Sequence, residues 1–442
     1  MAMRARRLPK GRHVDPKAVS VPADYRVEVA ATGLNNPSSV DFDPDGNIFI
    51  AEMGSPDGSA YLRGRVISIH PDGSTGIIAD DFAGSLTALT YYEGAFYVAE
   101  HAHNGRIFRL FEDGSRQVLA DDLPGGGDHP TSDIVVAHSE RFYFAQGTRT
   151  NSGVVGPDNL WLTDHPELAD IPGEDVVLSG RNFESDDPFA GGRAVTGPFK
   201  LFGVACRKGE TIAGDMKCSG GIMRADPEGE EFDVFAWGFR RPLGLSVHAD
   251  GRIFCSDVGM KPQGSRPIPD GRGYLWQVVE LGWYGWPDYS GDELVEEPVL
   301  AEHPPLAGKP LATLPIGSEI AKFDFSRSPL FGSDDVAYAA LLGEHGKFDA
   351  GSKVVMIDIL TGKVTDFMTN RHPGPASEHR SGGIERPIAV KFDRTGEVMY
   401  VLDLGMIDTS SPIPRTLANS GVLWRIVPQI YIRLGADLLK TA

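Results

Sequence analysis

His129 closes a glycine-rich run, Asp122 to His129 (DLPGGGDH), and a histidine beside Asp128 at the mouth of such a loop can act as a general base near neutral pH. Arg240 and Arg241 stand together in WGFRRP and Arg386 in GIERP, each just before a proline that opens an apolar run. Guanidinium groups in such places suit two-pronged recognition of carboxylates and other paired oxygens. Glu52, Glu100, Gln146, Asp257 and Asp403 each close a second apolar run, and Glu344 is read as the sixth of the set. Carboxylates converging on one mouth would repel one another without compensation. The pattern therefore predicts a divalent cation on Glu52, Glu100, Asp257 and Asp403, or a basic counter-set. The plain alternative is that these acids bond turn amides at strand ends. His101, His103 and His345 follow the same runs and are candidates to join a metal site. GGGDH neither follows a strand nor opens a helix, so no dinucleotide turn is read, and no Ser-His-Asp triad or phosphate loop is proposed.

The elements that must position these residues form a repeat. Val234 to Asp257 contains all of its parts: Pro242 opens an alternating run, Asp250-Gly251 makes a turn, and a second run ends on Asp257. Two short runs joined by an Asp-Gly turn read as an antiparallel hairpin. The unit recurs at Pro37 to Glu52, Leu86 to Glu100, Thr131 to Gln146, Pro387 to Asp403 and, more loosely, Ser318 to Glu344. Further strands are expected at Val66 to His70, Ile107 to Phe111, Leu275 to Val279, Val354 to Ile359 and Val422 to Val427. A hairpin with outer strands, repeated around a ring, is the pattern of an all-β, six-bladed β-propeller, because one four-stranded sheet buries both faces only when neighbours stack on it. The alternative is a β-sandwich or two smaller β domains.

The expected organisation is an unstructured lead-in over 1–22, one propeller over 23–429 and a tail over 430–442. Tyr25 to Ala30 alternates as a strand that can pair with the last blade and close the ring. Two insertions interrupt the repeat, about 151–221 and 260–314. The first is expected to form a lid or rim over the channel mouth. The second carries Trp283, Tyr284, Trp286 and Tyr289, which either stack on sugar rings or pack a blade corner. The formal charge of −19 argues against nucleic acid or an anionic membrane as partner. It is compatible with neutral sugars, small alcohols or cations. Cys206 and Cys218 flank a loop that is either closed by a disulfide or left reduced, and Cys255 reads as a buried apolar residue. No apolar run is long enough to span a bilayer, and the basic N-terminus has no following apolar stretch of the kind a signal peptide needs.

These residues resemble the glucose/sorbosone dehydrogenase family, soluble six-bladed propellers that oxidise aldoses with pyrroloquinoline quinone (PQQ) and calcium. The resemblance covers about Pro22 to Val427. It is carried by DLPGGGDH, by FAWGFRRPLGLS with the following SDVG, by WYGWPDYSG (Trp283 to Gly291) and by GIERPIAVKFD (Gly383 to Asp393). It implies that His129 takes the proton of a sugar or alcohol hydroxyl, that Arg240 and Arg386 bind the quinone, and that the backbone carbonyls of Gly259 and Met260 hold calcium. The chain departs from the family pattern where Asn is expected at Arg241, where a polar residue is expected at Val258, and where Arg is expected at Ile384. Arg241 can substitute for a lost cation, and Lys347 is the nearest candidate for a further quinone-binding lysine. The resemblance also implies an external electron acceptor and a periplasmic or secreted protein. Two other readings remain open: a metal-dependent hydrolase, lactonase or lyase on the acid ring, and a propeller that binds a ligand without catalysis.

Overall fold

Alternating apolar runs separated by tight turns fold into hairpins whose register aligns the repeated residues. In the computed structural model, which describes residues 12–54, 63–102, 104–137, 139, 141–229, 231–343, 350–408 and 415–429, Pro37 faces Glu52, Leu86 faces Glu100, Thr131 faces Gln146, Pro242 faces Asp257 and Pro387 faces Asp403. The turn of the fourth hairpin needs positive φ, which Gly251 supplies at 90°. A bulge follows the first residue of each inner strand, Ile320 of the fifth hairpin included, except in the second hairpin, where it follows the second residue, Leu86. Such a bulge bends the strand and sharpens its twist. In the fifth hairpin the residue opposite Ile320 is Leu341. Pairing continues through the Leu342 and Gly343 N–H groups on the Glu319 and Ser318 carbonyls, and Glu344, expected at the end of this hairpin, lies outside the described residues.

Among the described residues, six sheets of four or five strands are the blades. Their inner strands, Pro37–Phe42, Ser85–Tyr92, Thr131–Val136, Pro242–Val247, Ile320–Phe325 and Pro387–Phe392, pack side by side around a closed ring. The architecture is the expected six-bladed β-propeller. Closure comes from Tyr25–Leu34, which runs antiparallel to Gly421–Pro428 on the outside of the last blade, so the first part of the chain covers an edge that would otherwise stay open. Apolar seams hold neighbouring blades together. Between the first two, Phe49, Ala51 and Val66 meet Leu86, Phe96, Val98 and Phe108.

Inner strands are buried on both faces, so their polar residues must find partners inside the channel. Lys322 does so across it. Its Nζ lies 3.1 Å from Asp133 Oδ1, 3.1 Å from Ser39 Oγ and 2.9 Å from the Thr87 carbonyl. Four blades are thereby joined through one ammonium.

One expectation changes and two open alternatives are resolved. Residues 12–20, assigned to an unstructured lead-in, are ordered: Val19–Ser20 pairs with the outer edge of the fifth blade, and Arg12 places Nη2 2.5 Å from Asp403 Oδ2. The buried carboxylate draws the guanidinium in and fixes this segment. Cys206 and Cys218 are buried free thiols, and Cys206 Sγ lies 3.2 Å from the Arg181 carbonyl. Of the aromatic cluster, Trp283, Tyr284 and Trp286 are buried, with Tyr284 stacked on Phe239 at 4.2 Å. These rings pack the blade corner, and none of them lines the cavity described below.

Candidate functional site

The loop bearing His129 is held by backbone pairing. The Asp128 and His129 N–H groups donate to the carbonyls of Arg149 and Thr148, and Thr148 N–H donates to the Arg240 carbonyl at 3.0 Å. So close an approach needs missing side chains: a Cβ on Gly147 would collide with His129, and one on Gly127 with Arg149. The run GGGDH thus serves close packing. The first insertion completes the hold, since Asn159 Nδ2 and Trp161 Nε1 donate to Asp128 at 3.1 and 2.9 Å. Burial raises the Asp128 carboxyl to about 6 against these two bonds. His129 is nearly inaccessible, and its Nε2 has no hydrogen-bond partner in the protein. Burial, followed by the nearby charges of Arg240 and Arg241, pulls its pKa well below the ordinary histidine value. It is a neutral base at physiological pH.

Arg240 and Arg241 diverge from adjacent positions. Their N–H groups donate to Asp257, at 3.4 and 2.7 Å. The Arg240 guanidinium is buried, and its Nη1 donates to the carbonyls of Val258 and Gly259 at 3.3 and 3.0 Å. Burial and the Arg241 charge lower it to about 10, which leaves it protonated at neutral pH. Arg241 points the other way, into the channel mouth, with Nη1 3.7 Å from Glu319 Oε1. Lys261 is the second cation on that carboxylate.

The acids at the ends of the second strands do not converge. Glu52 accepts from Asn35 N–H at 2.7 Å and pairs with Arg65. Glu100 accepts from Gly84 N–H at 2.8 Å. Asp403 accepts from the N–H groups of Glu385 and Arg386, both at 2.9 Å, and from Gly405 at 3.1 Å. In these blades, and in the fourth through Asp257, the carboxylate caps the turn that enters its own inner strand, two residues ahead of that strand's repeat-opening residue. Gln146 instead binds the Pro124 carbonyl through Nε2. The expected metal ring of Glu52, Glu100, Asp257 and Asp403 is thus corrected, because each carboxylate is bound at its own strand end by backbone amides, Glu52 and Asp403 also by Arg65 and Arg12, and only Glu100 Oε2 is left without a partner. No cluster of three or more His, Cys, Asp or Glu suited to a metal occurs among the described residues. Glu100→Ala is expected to leave metal content unchanged and to cost about 1–3 kcal/mol of stability by stranding the Gly84 N–H; calorimetry and metal analysis of the variant check both.

The channel mouth opens into a cavity of about 730 Å³, lined among others by His129, Asp128, Arg241, His101, Trp161 and Lys322. The first insertion supplies Trp161, Asp164 and His165 to this wall, so it forms the expected rim. His101 is held neutral by burial, and its Nδ1 has no partner in the protein. Arg240 does not line the cavity, nor does Arg386, whose Nη1 donates to the Gly343 carbonyl at 2.7 Å. Lys347, Glu344, His103 and His345 lie outside the described residues. Sequence reasoning missed Lys322, and its signal was available in IAKFDF, a charged residue inside an inner strand.

The cavity, the unpartnered His129 Nε2 and the adjacent Arg241 suit an anionic ligand beside a hydroxyl-bearing substrate. The calcium seat is different: the Gly259 carbonyl accepts from Arg240, and the Met260 carbonyl accepts from Gly271 N–H at 2.7 Å. The residues present do not fit calcium at Gly259 and Met260.

A six-bladed propeller with a buried neutral histidine and an arginine at its channel mouth is the class defined by fold and site. No protein-family model matches the chain, and no curated protein matches it. Among solved structures, the chain is similar to the PQQ-bound form of aldose sugar dehydrogenase from Streptomyces coelicolor, with 15% identity, TM-score 0.55, and 92% of this chain and 100% of that one covered. It is similar to the holo form of the pyranose dehydrogenase PQQ domain from Coprinopsis cinerea, at 14% identity and TM-score 0.57 over 95% and 98% of the two chains. A carbohydrate-active enzyme of family AA12 from Trichoderma reesei aligns at 12% identity and TM-score 0.61 over 95% and 100%. At these identities the similarity shows the propeller fold.

Proposed function

We propose that this protein is a quinoprotein dehydrogenase that oxidises a sugar or related alcohol. The observation that carries the reading is His129, a desolvated neutral imidazole whose unpartnered Nε2 belongs to a residue lining a cavity of about 730 Å³. That volume lies within the roughly 300–1,000 Å³ of small-molecule sites. His129 accepts the proton of the substrate hydroxyl at Nε2. Arg241 holds an anionic group of the cofactor, and Lys322, its charge paired with Asp133, lines the same cavity. Trp161 and the rim exclude water. PQQ bound beside His129 would supply the hydride acceptor, and an external acceptor would reoxidise it. Similarity to solved PQQ-binding sugar dehydrogenases supports this choice of cofactor.

Titration of the metal-stripped protein with PQQ by calorimetry is the direct test. Saturable one-to-one binding is expected, and Arg241→Ala is expected to weaken it at least tenfold, as the loss of one charge-assisted contact of about 1.5–3 kcal/mol implies. Arg386→Ala should change it less, because that guanidinium is engaged at the Gly343 carbonyl. No binding by the wild-type protein would remove the dehydrogenase reading. The hydrolase reading loses its proposed ligands, since the acids it invoked bind turn amides.

A further inference from the structure

The resemblance places calcium on backbone carbonyls that this chain has put to another use. The Gly259 carbonyl lies 3.0 Å from Arg240 Nη1, and the Val258 carbonyl lies 3.3 Å from the same nitrogen. The Met260 carbonyl accepts from Gly271 N–H at 2.7 Å. Both oxygens of the neighbouring carboxylate, Asp257, face the Arg240 and Arg241 N–H groups. A calcium ion takes six to eight oxygens at about 2.3–2.6 Å. On the Gly259 oxygen it would stand within a few ångströms of a guanidinium that is itself buried, with little water to screen two positive centres. A carbonyl has a second lone pair, but the repulsion acts whichever lone pair the metal uses.

We infer that the Arg240 guanidinium is the resident cation of the Val258 and Gly259 carbonyls, and that this seat takes no calcium. The consequence for the cofactor rests on the quinone reading above: PQQ binds without a metal. The positive charge that calcium would bring is covalently attached to the chain, so chelators do not remove it.

Two measurements test this on the full-length protein. In the first, terbium is titrated as a calcium probe at physiological ionic strength with excitation of tyrosine, because the Tyr274 ring abuts Gly259 and would sensitise a bound ion. Wild type is expected to show no saturable one-to-one emission. Arg240→Gln is expected to gain it, and Arg240→Lys, which keeps the charge, is expected to stay dark. A stoichiometric site in the wild type that calcium competes for overturns the inference, and so does a folded Arg240→Gln that gains nothing. Should Arg240→Gln fail to fold, the wild-type and Arg240→Lys titrations decide. In the second, PQQ affinity is measured with excess calcium and with excess chelator. Values within about twofold support the inference, whereas tightening of tenfold or more by calcium overturns it and leaves the dehydrogenase reading intact. Absence of PQQ binding under both conditions removes the dehydrogenase reading, and the terbium titration then judges Arg240 by itself.

Discussion

His129→Ala is expected to lower kcat for sugar oxidation by about 10²–10⁴-fold, the usual contribution of a positioned general base, while leaving the unfolding midpoint close to wild type. The side chain can be lost cheaply because its loop is held through the backbone, by the His129 and Asp128 N–H groups on the Thr148 and Arg149 carbonyls. The pH dependence gives a second readout. A histidine whose pKa is lowered stays deprotonated to a lower pH than a free one, whose value is about 6.5. The acid limb of kcat/KM should therefore fall below pH 6.5 and rise to a plateau above it. Asp128 titrates near this range, at about 6, so the profile is to be repeated with Asp128→Asn. A limb that survives this change and vanishes with His129→Ala belongs to the imidazole. Retention of most of the activity by His129→Ala would assign the base elsewhere, and a limb at or above pH 6.5 would contradict its desolvation.

How far the sequence carries the fold depends on which residues interact locally. Period-two alternation around Asp-Gly turns fixes a hairpin within some sixteen residues, so Pro242 to Asp257 and its counterparts pair as their spacing predicts. The acids at the hairpin ends were legible as a repeated feature, and only their partners were misread. Glu100 and Asp403 bind amides at the entrance to their own blades, and a backbone N–H leaves no mark in a sequence. The same reason hides the fate of the Met260 carbonyl, which Gly271 N–H binds. Lys322 illustrates a different limit. In IAKFDF it reads as the polar member of an alternating strand with one wet face, yet a propeller's inner strands line a narrow channel, and its partners Asp133, Ser39 and Thr87 come from three other blades. Arg12, far from the acid it neutralises, is invisible for the same reason. The candidate base was legible because its chemistry travels with a local motif; its lowered pKa follows from burial and then from Arg240 and Arg241, which only the fold assembles.

Arg266→Ala is expected to cost about 3–5 kcal/mol, the penalty for stranding one partner of a buried ion pair. The guanidinium is fully buried and donates to the Ser152 and Pro287 carbonyls at 2.8 and 2.9 Å, to Asp288 at 2.7 Å and to the Glu297 carbonyl at 2.9 Å. It thereby ties the start of the first insertion to the second. Asp288 is equally engaged, accepting from the N–H groups of Val299 and Leu300 and lying 2.8 Å from His303 Nε2. Burial would raise its pKa, but the His303 contact, the Arg266 charge and these two amides outweigh burial and lower it. A carboxyl with a depressed folded-state pKa gives stability that is present above its unfolded value of about 3.9 and is lost as pH falls through the folded one. Wild type should therefore weaken on acidification below about pH 4 in part through this group, and Asp288→Asn should flatten that part of the curve. Urea unfolding followed by tryptophan fluorescence measures both effects, with Trp286 close to the latch through the Asn151 carbonyl. Removing Arg266 and Asp288 together should cost less than the sum of the single changes, since the double variant leaves no lone charge buried. A single-variant loss below about 1 kcal/mol would mean that the pair does not hold the insertions together. The rim that carries Trp161 over the cavity would then be fixed by its hydrogen bond to Asp128 and by the apolar packing of Trp161 with Val155, Leu162 and Leu168.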